Sequence, residues 1–271
     1  TSWSRQQILT TNDDPAGGEF GYSVAMSGDT AVVGADRHDD DGQDSGSAFV
    51  YTYGSGSWNF QAELKASDAA AGDLFGFAVG ASGDTAIAGA PRDDDGGDDS
   101  GSAYVFTRDG SNNWTQQWKL MAGDAAAGDQ LGGAVAVSAD TALVGASKDD
   151  DGGADSGSAY VFTRDGTGAW AQQAKLTSDD AAAGDSFGSA AAVGGDIAIV
   201  GAPLAGDGIA ADAGAAYIFT RDGSGVWTQQ AKLTASDAAA EDQFGASVSL
   251  SGNTAIIGAS LADDGATTNT G

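Results

Sequence analysis

The stretch FGFAVGASGDTAIAGAP, residues 75–91, decides the fold of this chain, because it recurs in recognisable form along the whole sequence. It opens with a Phe-Gly pair, contains two short apolar segments separated by Ser-Gly-Asp, and ends in Gly-Ala-Pro. The Phe-Gly slot repeats at spacings of 55, 56, 56 and 57 residues. Its five copies are Phe20-Gly21, Phe75-Gly76, Leu131-Gly132, Phe187-Gly188 and Phe244-Gly245.

A second marker has the same four spacings. It is a tryptophan series formed by Trp3, Trp58, Trp114, Trp170 and Trp227. Two markers in register indicate an internal repeat of about 56 residues. We therefore expect a single repeat domain over residues 1–271. Its units are 20–74, 75–130, 131–186, 187–243, and a last unit in which 244–271 combines with 1–19 to close the ring.

Each unit predicts four strands, which we name A to D. In the second unit they cover residues 75–81, 85–90, 102–107 and 114–120. These segments are rich in β-branched or aromatic residues and are bounded by Gly and Asp, which is typical of short strands. An Asp-Gly pair at residues 109–110 predicts a hairpin between strands C and D.

One four-stranded unit cannot bury both of its faces, whereas units packed as blades around an axis can. The chain is therefore predicted to be all-β, a β-propeller of five four-stranded blades, of which the fifth is incomplete. Residues 244–271 supply strands A and B of that blade, and the segment from Thr1 supplies strand D. Three explanations for the absent strand C stay open: the natural chain continues, a neighbouring molecule covers the gap, or an open edge drives assembly.

The Phe-Gly pairs, together with Gly89-Ala90-Pro91 and Gly201-Ala202-Pro203, resemble the FG-GAP repeat of integrin α subunits and bacterial surface or secreted proteins. The resemblance covers essentially the whole chain. It implies a propeller that is secreted or displayed on a cell surface and that binds or adheres. Integrin-type repeats carry a calcium loop between strands A and B. Here that connection is only Ser-Gly-Asp-Thr or similar, so those calcium sites do not transfer to this chain.

The charge balance excludes some partners. The chain has 39 acidic and 11 basic residues, a net charge of −28, and no cysteine. So negative a protein is not expected to bind nucleic acid or anionic membrane surfaces. No apolar run approaches the roughly 18 residues that membrane insertion requires. All but three of the acids are Asp, which favours loops and oxygen-rich cation sites over helices.

The acids concentrate in the loops between strands B and C, where clustered carboxylates beside Gly suit calcium. The predicted ligands are Asp39, Asp41, Asp44, Asp93, Asp95, Asp99, Asp149, Asp151 and Asp155. Because strands alternate in direction, the acidic D–A loops, with Asp68, Asp73 and their equivalents, are expected on the same face. Two alternatives stay open: the loops are solvated turns, or Asp68 and its equivalents cap the alanines that follow.

The sequence gives little indication of a catalytic site. His38 is the only histidine, and we expect it to be an exposed loop residue. A glycan-active enzyme is disfavoured, because the acids repeat with the fold instead of forming a singular pair. The tryptophan series is expected to pack between blades. Trp118, which has no counterpart in the other repeats, is the candidate ligand contact.

These observations predict a non-enzymatic, extracellular module for binding or adhesion, assisted by calcium, whose partner is a protein or a glycan. The alternative is a structural subunit of an extracellular filament or surface layer, in which copies of the chain associate through the incomplete blade.

Overall fold

The computed structural model describes residues 4–11, 17–206 and 210–263. These residues form four antiparallel sheets of four strands and one sheet of two strands. The strands are β1 (Ser23–Ser27), β2 (Thr30–Ala35), β3 (Ser47–Gly54), β4 (Ser57–Leu64), β5 (Ala78–Ser82), β6 (Thr85–Ala90), β7 (Ser102–Arg108), β8 (Trp114–Leu120), β9 (Ala134–Ser138), β10 (Thr141–Ala146), β11 (Ser158–Arg164), β12 (Trp170–Leu176), β13 (Ala190–Gly194), β14 (Ile197–Ala202), β15 (Ala215–Arg221), β16 (Trp227–Leu233), β17 (Phe244–Ser251) and β18 (Thr254–Ala259). Within this described part, no helix is long and apolar enough to span a bilayer.

Each sheet is one blade of a β-propeller, as predicted. Blades 1 to 4 contain strands A to D in chain order, and blade 5 contains β17 and β18. The A strands of successive blades pack side by side, β1 on β5, β5 on β9, β9 on β13 and β13 on β17. Every residue of β6 is buried, whereas the outermost strand β8 alternates between exposed and covered positions. The apolar core therefore lies between neighbouring blades.

The predicted bounds of strands B and D in the second unit are confirmed, but strand A begins later, at Ala78. Phe75 and Gly76 instead form a turn, in which Leu74 and Gly76 have φ angles of 58° and 87°. Phe75 is fully buried and bridges to Gly46 of the preceding blade. The Phe-Gly pair thus anchors one blade to the next before the strand starts.

The motif glycines form the closest contact between blades. A Cβ atom added to Gly89 of blade 2 would lie 2.0 Å from the carbonyl oxygen of Gly132 in blade 3. The amide of Gly132 in turn donates to the carbonyl of Gly145 in its own blade, at 2.9 Å. Equivalent approaches join Gly34 to Gly76, Gly145 to Gly188 and Gly201 to Gly245. The glycine of the Phe-Gly pair and the glycine of the Gly-Ala-Pro motif are therefore required, because the backbones of neighbouring blades approach too closely there for a side chain.

The prediction that the N-terminal segment forms strand D of blade 5 is wrong for residues 4–11, which adopt no strand. In the complete blades strand D pairs only with strand C, and the described residues place no strand C beside β18. The segment instead lies over the outer face of blade 1. The Gln7 amide exchanges two 2.9 Å hydrogen bonds with the Trp58 backbone, and the Tyr51 hydroxyl donates to the Thr10 carbonyl at 3.1 Å.

Candidate functional site

The B–C and D–A loops share one face of the propeller, as predicted, and we call this face the acidic rim. Backbone hydrogen bonds tie the two kinds of loop together: Gly72 donates to the Gln43 carbonyl, and Leu74 to the Asp44 carbonyl. The opposite, hairpin face carries the A–B turns and C–D hairpins, which ion pairs such as Arg108 with Asp84 connect.

A lysine lies at the centre of the acidic rim in blade 2. The Lys119 ammonium is 2.8 Å from Asp93, 2.6 Å from Asp95 and 2.9 Å from Asp68. Asp93 and Asp95 belong to the B–C loop of blade 2, whereas Asp68 lies in the loop that enters blade 2 from blade 1. One ammonium thus pairs with three carboxylates, offsets one of their three charges and connects two blades.

Blade 3 repeats this cluster with Lys175 beside Asp149 (2.9 Å), Asp151 (2.5 Å) and Asp124 (2.9 Å). In blade 4, by contrast, Asp180, at 2.7 Å, is the one carboxylate that pairs with Lys232 among the described residues. Ala205 occupies the position of Asp93 and Asp149, so the buried acid is absent, and Asp207, at the position of Asp95, lies outside the described residues. The lysine clusters are therefore complete in blades 2 and 3.

The buried member of the blade 2 cluster is fully hydrogen-bonded. Asp93 accepts from the Tyr104 hydroxyl at 2.7 Å and from the Ser102 hydroxyl at 3.0 Å. Burial alone would raise the pKa of Asp93, but the Lys119 ammonium, Tyr104 and the Asp95 amide outweigh it and hold that pKa below its usual value. Burial also opposes the charge on Lys119, yet the three carboxylates raise its pKa well above the ordinary range.

Blade 1 contains a rearranged version of the cluster, and the prediction that His38 is exposed is wrong. His38 is fully buried, because it occupies the position that Asp93 has in blade 2. Its Nδ1 lies 3.3 Å from the Ser47 hydroxyl, which donates to Glu63 at 2.8 Å. Glu63 in turn occupies the position of Lys119. In blade 1 the acid therefore lies on strand D and its partner His38 in the B–C loop, whereas in blade 2 the acid Asp93 lies in that loop and Lys119 on strand D.

The ammonium of blade 1 comes from Lys65, two residues after Glu63. It lies 2.7 Å from Asp40, 3.3 Å from Asp41 and 3.4 Å from Glu63. The run of three aspartates in blade 1 is displaced by one residue relative to blade 2, and Asp39 corresponds to Asp94. If the aspartate runs of the two loops are aligned with each other, His38 has no equivalent in blade 2. Alignment on Gly46 and Gly101 instead pairs His38 with Asp93.

The structure divides the predicted calcium ligands into two groups. Carboxylates whose oxygen atoms lie within 4.8 Å of one another are Asp68, Asp93 and Asp95 in blade 2, and Asp124, Asp149 and Asp151 in blade 3. In blade 1 the comparable set is His38, Asp40 and Glu63. The Asp41 carboxylate pairs with Lys65, and the Asp41 amide donates to the Ser45 hydroxyl at 3.3 Å. Asp39, Asp44, Asp99 and Asp155 belong to none of these sets among the described residues.

Asp39, Asp44, Asp99 and Asp155 shape the loops instead. Asp44, Asp99 and Asp155 have left-handed φ angles of 54°, 51° and 53°. The amide of each donates to the carboxylate of an aspartate five residues earlier, as Asp44 donates to Asp39 at 2.8 Å. This is the local turn chemistry that short carboxylates favour.

The acids of the D–A loops have two different roles, and the cap of the alanine turn is not the residue considered from the sequence. The side chain of Asp73 accepts from the Ala70 amide at 2.7 Å and so caps the alanine turn. Its equivalents Asp129, Asp185 and Asp242 do the same, and burial raises the pKa of Asp73 and Asp129. Asp68, which was the candidate cap, binds Lys119. The signal that sequence reasoning missed was the lysine repeated before the last leucine of strand D.

Trp114, Trp170 and Trp227 pack between blades, as predicted, whereas Trp3 lies outside the described residues. The indole nitrogen of Trp114 donates to Gln61 of blade 1 at 3.1 Å, and that of Trp227 to Gln173 of blade 3 at 2.9 Å. Trp118 is 39% exposed, and its indole nitrogen donates to the Gly168 carbonyl of blade 3 at 3.1 Å.

The comparison with known families agrees with this architecture. A family profile described as "FG-GAP repeat" matches five times, at residues 3–51, 58–106, 114–162, 170–219 and 227–271. The chain belongs to the FG-GAP repeat family. In the three central matches, residues 58–106, 114–162 and 170–219, the unit of this FG-GAP repeat protein begins at strand D of one blade and reaches strand C of the next, so it spans the blade junction that the glycines form.

Other comparisons are more distant. No curated protein matches the chain. Among solved structures, a protein from Lactobacillus plantarum is 14% identical, with a TM-score of 0.48. The similarity covers 80% of this chain and 57% of that protein, so the chain spans little more than half of that relative's length.

Proposed function

We propose that this FG-GAP repeat protein is a non-enzymatic, extracellular binding or adhesion module, assisted by calcium, whose acidic rim contacts a protein or glycan partner. The observation that supports the proposal is the organisation of the rim. Lysine clusters join neighbouring blades, and backbone hydrogen bonds join the B–C loops to the D–A loops. A surface organised before binding loses little conformational freedom when a partner docks.

Carboxylates outside the clusters add to the negative charge of the rim. Asp94, Asp98 and Asp150 are exposed beside the lysine clusters. Such charges favour a cationic partner surface, or a calcium ion shared with the partner, and they speed the encounter more than they strengthen the final complex.

A matched pair of variants tests the rim as the contact surface. Asp98→Asn removes an exposed charge from the rim, and Asp29→Asn removes the same charge from the hairpin face. On protein and glycan arrays, wild type is expected to retain one or more partners. Asp98→Asn should bind them severalfold more weakly, whereas Asp29→Asn should bind as wild type does. Equal loss in both variants would assign the effect to net charge and contradict the proposal.

The position of the Lys119 ammonium gives a specific test of calcium binding at the rim. An ion at Asp68, Asp93 and Asp95 has to displace the Lys119 ammonium, which already pairs with all three carboxylates. Removing that ammonium should therefore strengthen calcium binding. We expect Lys119→Met to bind calcium more tightly than wild type in a calorimetric titration, and to gain more thermal stability from it.

The control for calcium is Lys148→Met, because Lys148 lies on the rim outside the clusters and pairs only with Asp155, at 3.4 Å. This variant should match wild type. If sodium chloride of equal ionic strength raises the melting temperature as much as calcium does in all three proteins, the calcium part of the proposal fails.

A second candidate function, assembly with copies of itself, rests on the open side of the propeller. Val24 and Met26 of β1 are 72% and 70% exposed, and Ile256 of β18 is 73% exposed. The equivalents of Ile256 in the complete blades are fully buried, as for Ile87. Among the described residues β18 pairs only with β17, and exposed apolar residues near such an edge favour strand addition.

Light scattering over a range of concentrations tests self-assembly. Association of the wild type is expected to weaken in Val24→Asp and in the presence of a peptide with the sequence of residues 158–164, a strand C. A scrambled peptide should have no effect. A monomer at all concentrations would reject this second function.

A further inference from the structure

A polar cavity of about 480 Å³ lies between blades 2 and 3 on the hairpin face, opposite the acidic rim. Its lining includes Asp84, Arg108 and Gln117 from blade 2, and Arg164, Gly168 and Trp170 from blade 3. This volume is within the roughly 300–1,000 Å³ range of small-molecule sites.

One of the residues that line the cavity has a buried donor without a partner. Trp170 is only 5% exposed, and its indole nitrogen has no hydrogen-bond partner within the described residues. The equivalent nitrogens of Trp114 and Trp227 each donate to a glutamine of the preceding blade. A buried donor without an acceptor is costly, so this site favours a molecule that brings an oxygen atom.

A single neighbouring residue explains the missing acceptor. Gln117 occupies the position from which Gln173 reaches Trp227, but its amide donates to the Thr115 hydroxyl at 2.7 Å. Gln230 is held in the same manner by Thr228. Blade 3 has Ala171 at this position, so Gln173 is free to accept from the Trp227 indole.

Trp118, the tryptophan without a counterpart in the other repeats, lies beside the same cavity. Trp118 donates to the carbonyl of Gly168, a lining residue, and its ring is partly exposed. The equivalent positions in other blades hold Ala62, Ala174 and Ala231. An unsatisfied indole N–H and a singular exposed indole ring therefore occur together at one blade junction.

We propose that this cavity binds a monosaccharide, free or at the end of a glycan, with a ring hydroxyl accepting from the Trp170 indole. Guanidinium, carboxylate and hydroxyl side chains line the cavity, so it offers both donors and acceptors, as a sugar does. An apolar ligand would leave the Trp170 donor unsatisfied, and a simple anion would face Asp84. The partly exposed Trp118 ring offers an apolar surface for the C–H face of the sugar. The site is separate from the acidic rim and does not depend on the function proposed there.

Nuclear magnetic resonance of the ¹⁵N-labelled chain tests the proposal, with the Trp170 indole signal identified by its loss in Trp170→Phe. Glucose, galactose, mannose and N-acetylglucosamine are titrated separately. We expect at least one to shift the Trp170 signal in a saturable manner, with a dissociation constant in the millimolar range.

Two variants make the test specific. Thr115→Ala should release Gln117 to accept from Trp170, moving the indole signal without sugar and weakening sugar binding at least tenfold. Ala171→Thr should hold Gln173 away from Trp227, so that the Trp227 signal gains a sugar-dependent shift. The proposal is overturned if no sugar moves the Trp170 signal at up to about 50 mM. It is equally overturned if Thr115→Ala leaves the response unchanged.

Discussion

At the scale of the residue, the decisive feature is a buried carboxylate that a lysine from another strand neutralises. Asp93 is buried and Lys119 is largely covered, so neither charge is well solvated. Pairing offsets the cost of burial only while both partners are present. The clusters are therefore stabilising as units, and the loss of one member leaves an uncompensated charge.

Lys119→Met should destabilise the protein by about 3 kcal/mol, because it leaves the buried Asp93 without its counter-charge. Lys232→Met, which loses one partly exposed pair with Asp180, should cost about 1 kcal/mol or less. Urea unfolding monitored by tryptophan fluorescence measures both. Equal losses in the two variants would show that the buried carboxylate does not depend on its lysine.

The pH dependence follows from the same cluster. The pKa of Asp93 is lowered in the folded state, so its contribution is present above the unfolded value of about 3.9 and is lost as the pH falls below it. The pKa of Lys119 is raised, so its contribution is present below about 10.4 and is lost as the pH rises beyond it.

The difference in unfolding free energy between wild type and Lys119→Met should therefore be largest from pH 5 to 10 and shrink towards about pH 3. Asp129, whose pKa burial raises, opposes this trend, but it responds to Lys175 and is common to both proteins, so it cancels in the difference. The Lys119 charge lowers the raised pKa of Asp73, so Lys119→Met should raise the pKa of Asp73 further and add to the pH dependence. Urea titrations at each pH measure the difference. A difference that does not vary with pH would contradict the proposed coupling.

At the scale of the element, the strands follow from local pattern, but the blade junction depends on two glycines from different repeats. Gly89→Ala should destabilise the protein by about 3 kcal/mol or more, because its Cβ would overlap the backbone carbonyl of Gly132. Gly258→Ala is the matched control. It occupies the same motif position in blade 5, where the nearest atom is the side-chain oxygen of Ser247.

Because that oxygen can rotate away, Gly258→Ala should cost about 1 kcal/mol or less. Thermal and urea unfolding measure both substitutions. If the two cost the same, the glycine in the repeat reflects strand conformation and not the approach of the next blade.

At the scale of the whole molecule, the net charge of −28 exceeds what the lysine clusters neutralise. Such charge repels itself in the compact state, and salt screens exposed charges more than it screens the partly buried clusters. Raising sodium chloride at pH 7 should therefore stabilise the protein. A gain of about 1 kcal/mol corresponds to about 2–4 °C in melting temperature. A fall with salt would mean that exposed ion pairs dominate.

The sequence by itself determined the repeat, the four strands of blades 1 to 4 and the face on which the acids lie. Strand periodicity and turn chemistry are local properties, so residues such as Trp114 and Leu120 mark strand ends without tertiary information. The alternation of strand direction then places the B–C and D–A loops on one face.

Only the tertiary structure decided which acids meet, because the groups around one ammonium come from three segments. Lys119, Asp93 and Asp68 lie on a strand, a loop and the preceding blade's exit loop, and their distances depend on how blades pack. The same packing buries His38 beside Ser47. Residues 4–11 lie outside the sheet because strand D requires a strand C partner, which no local pattern can supply.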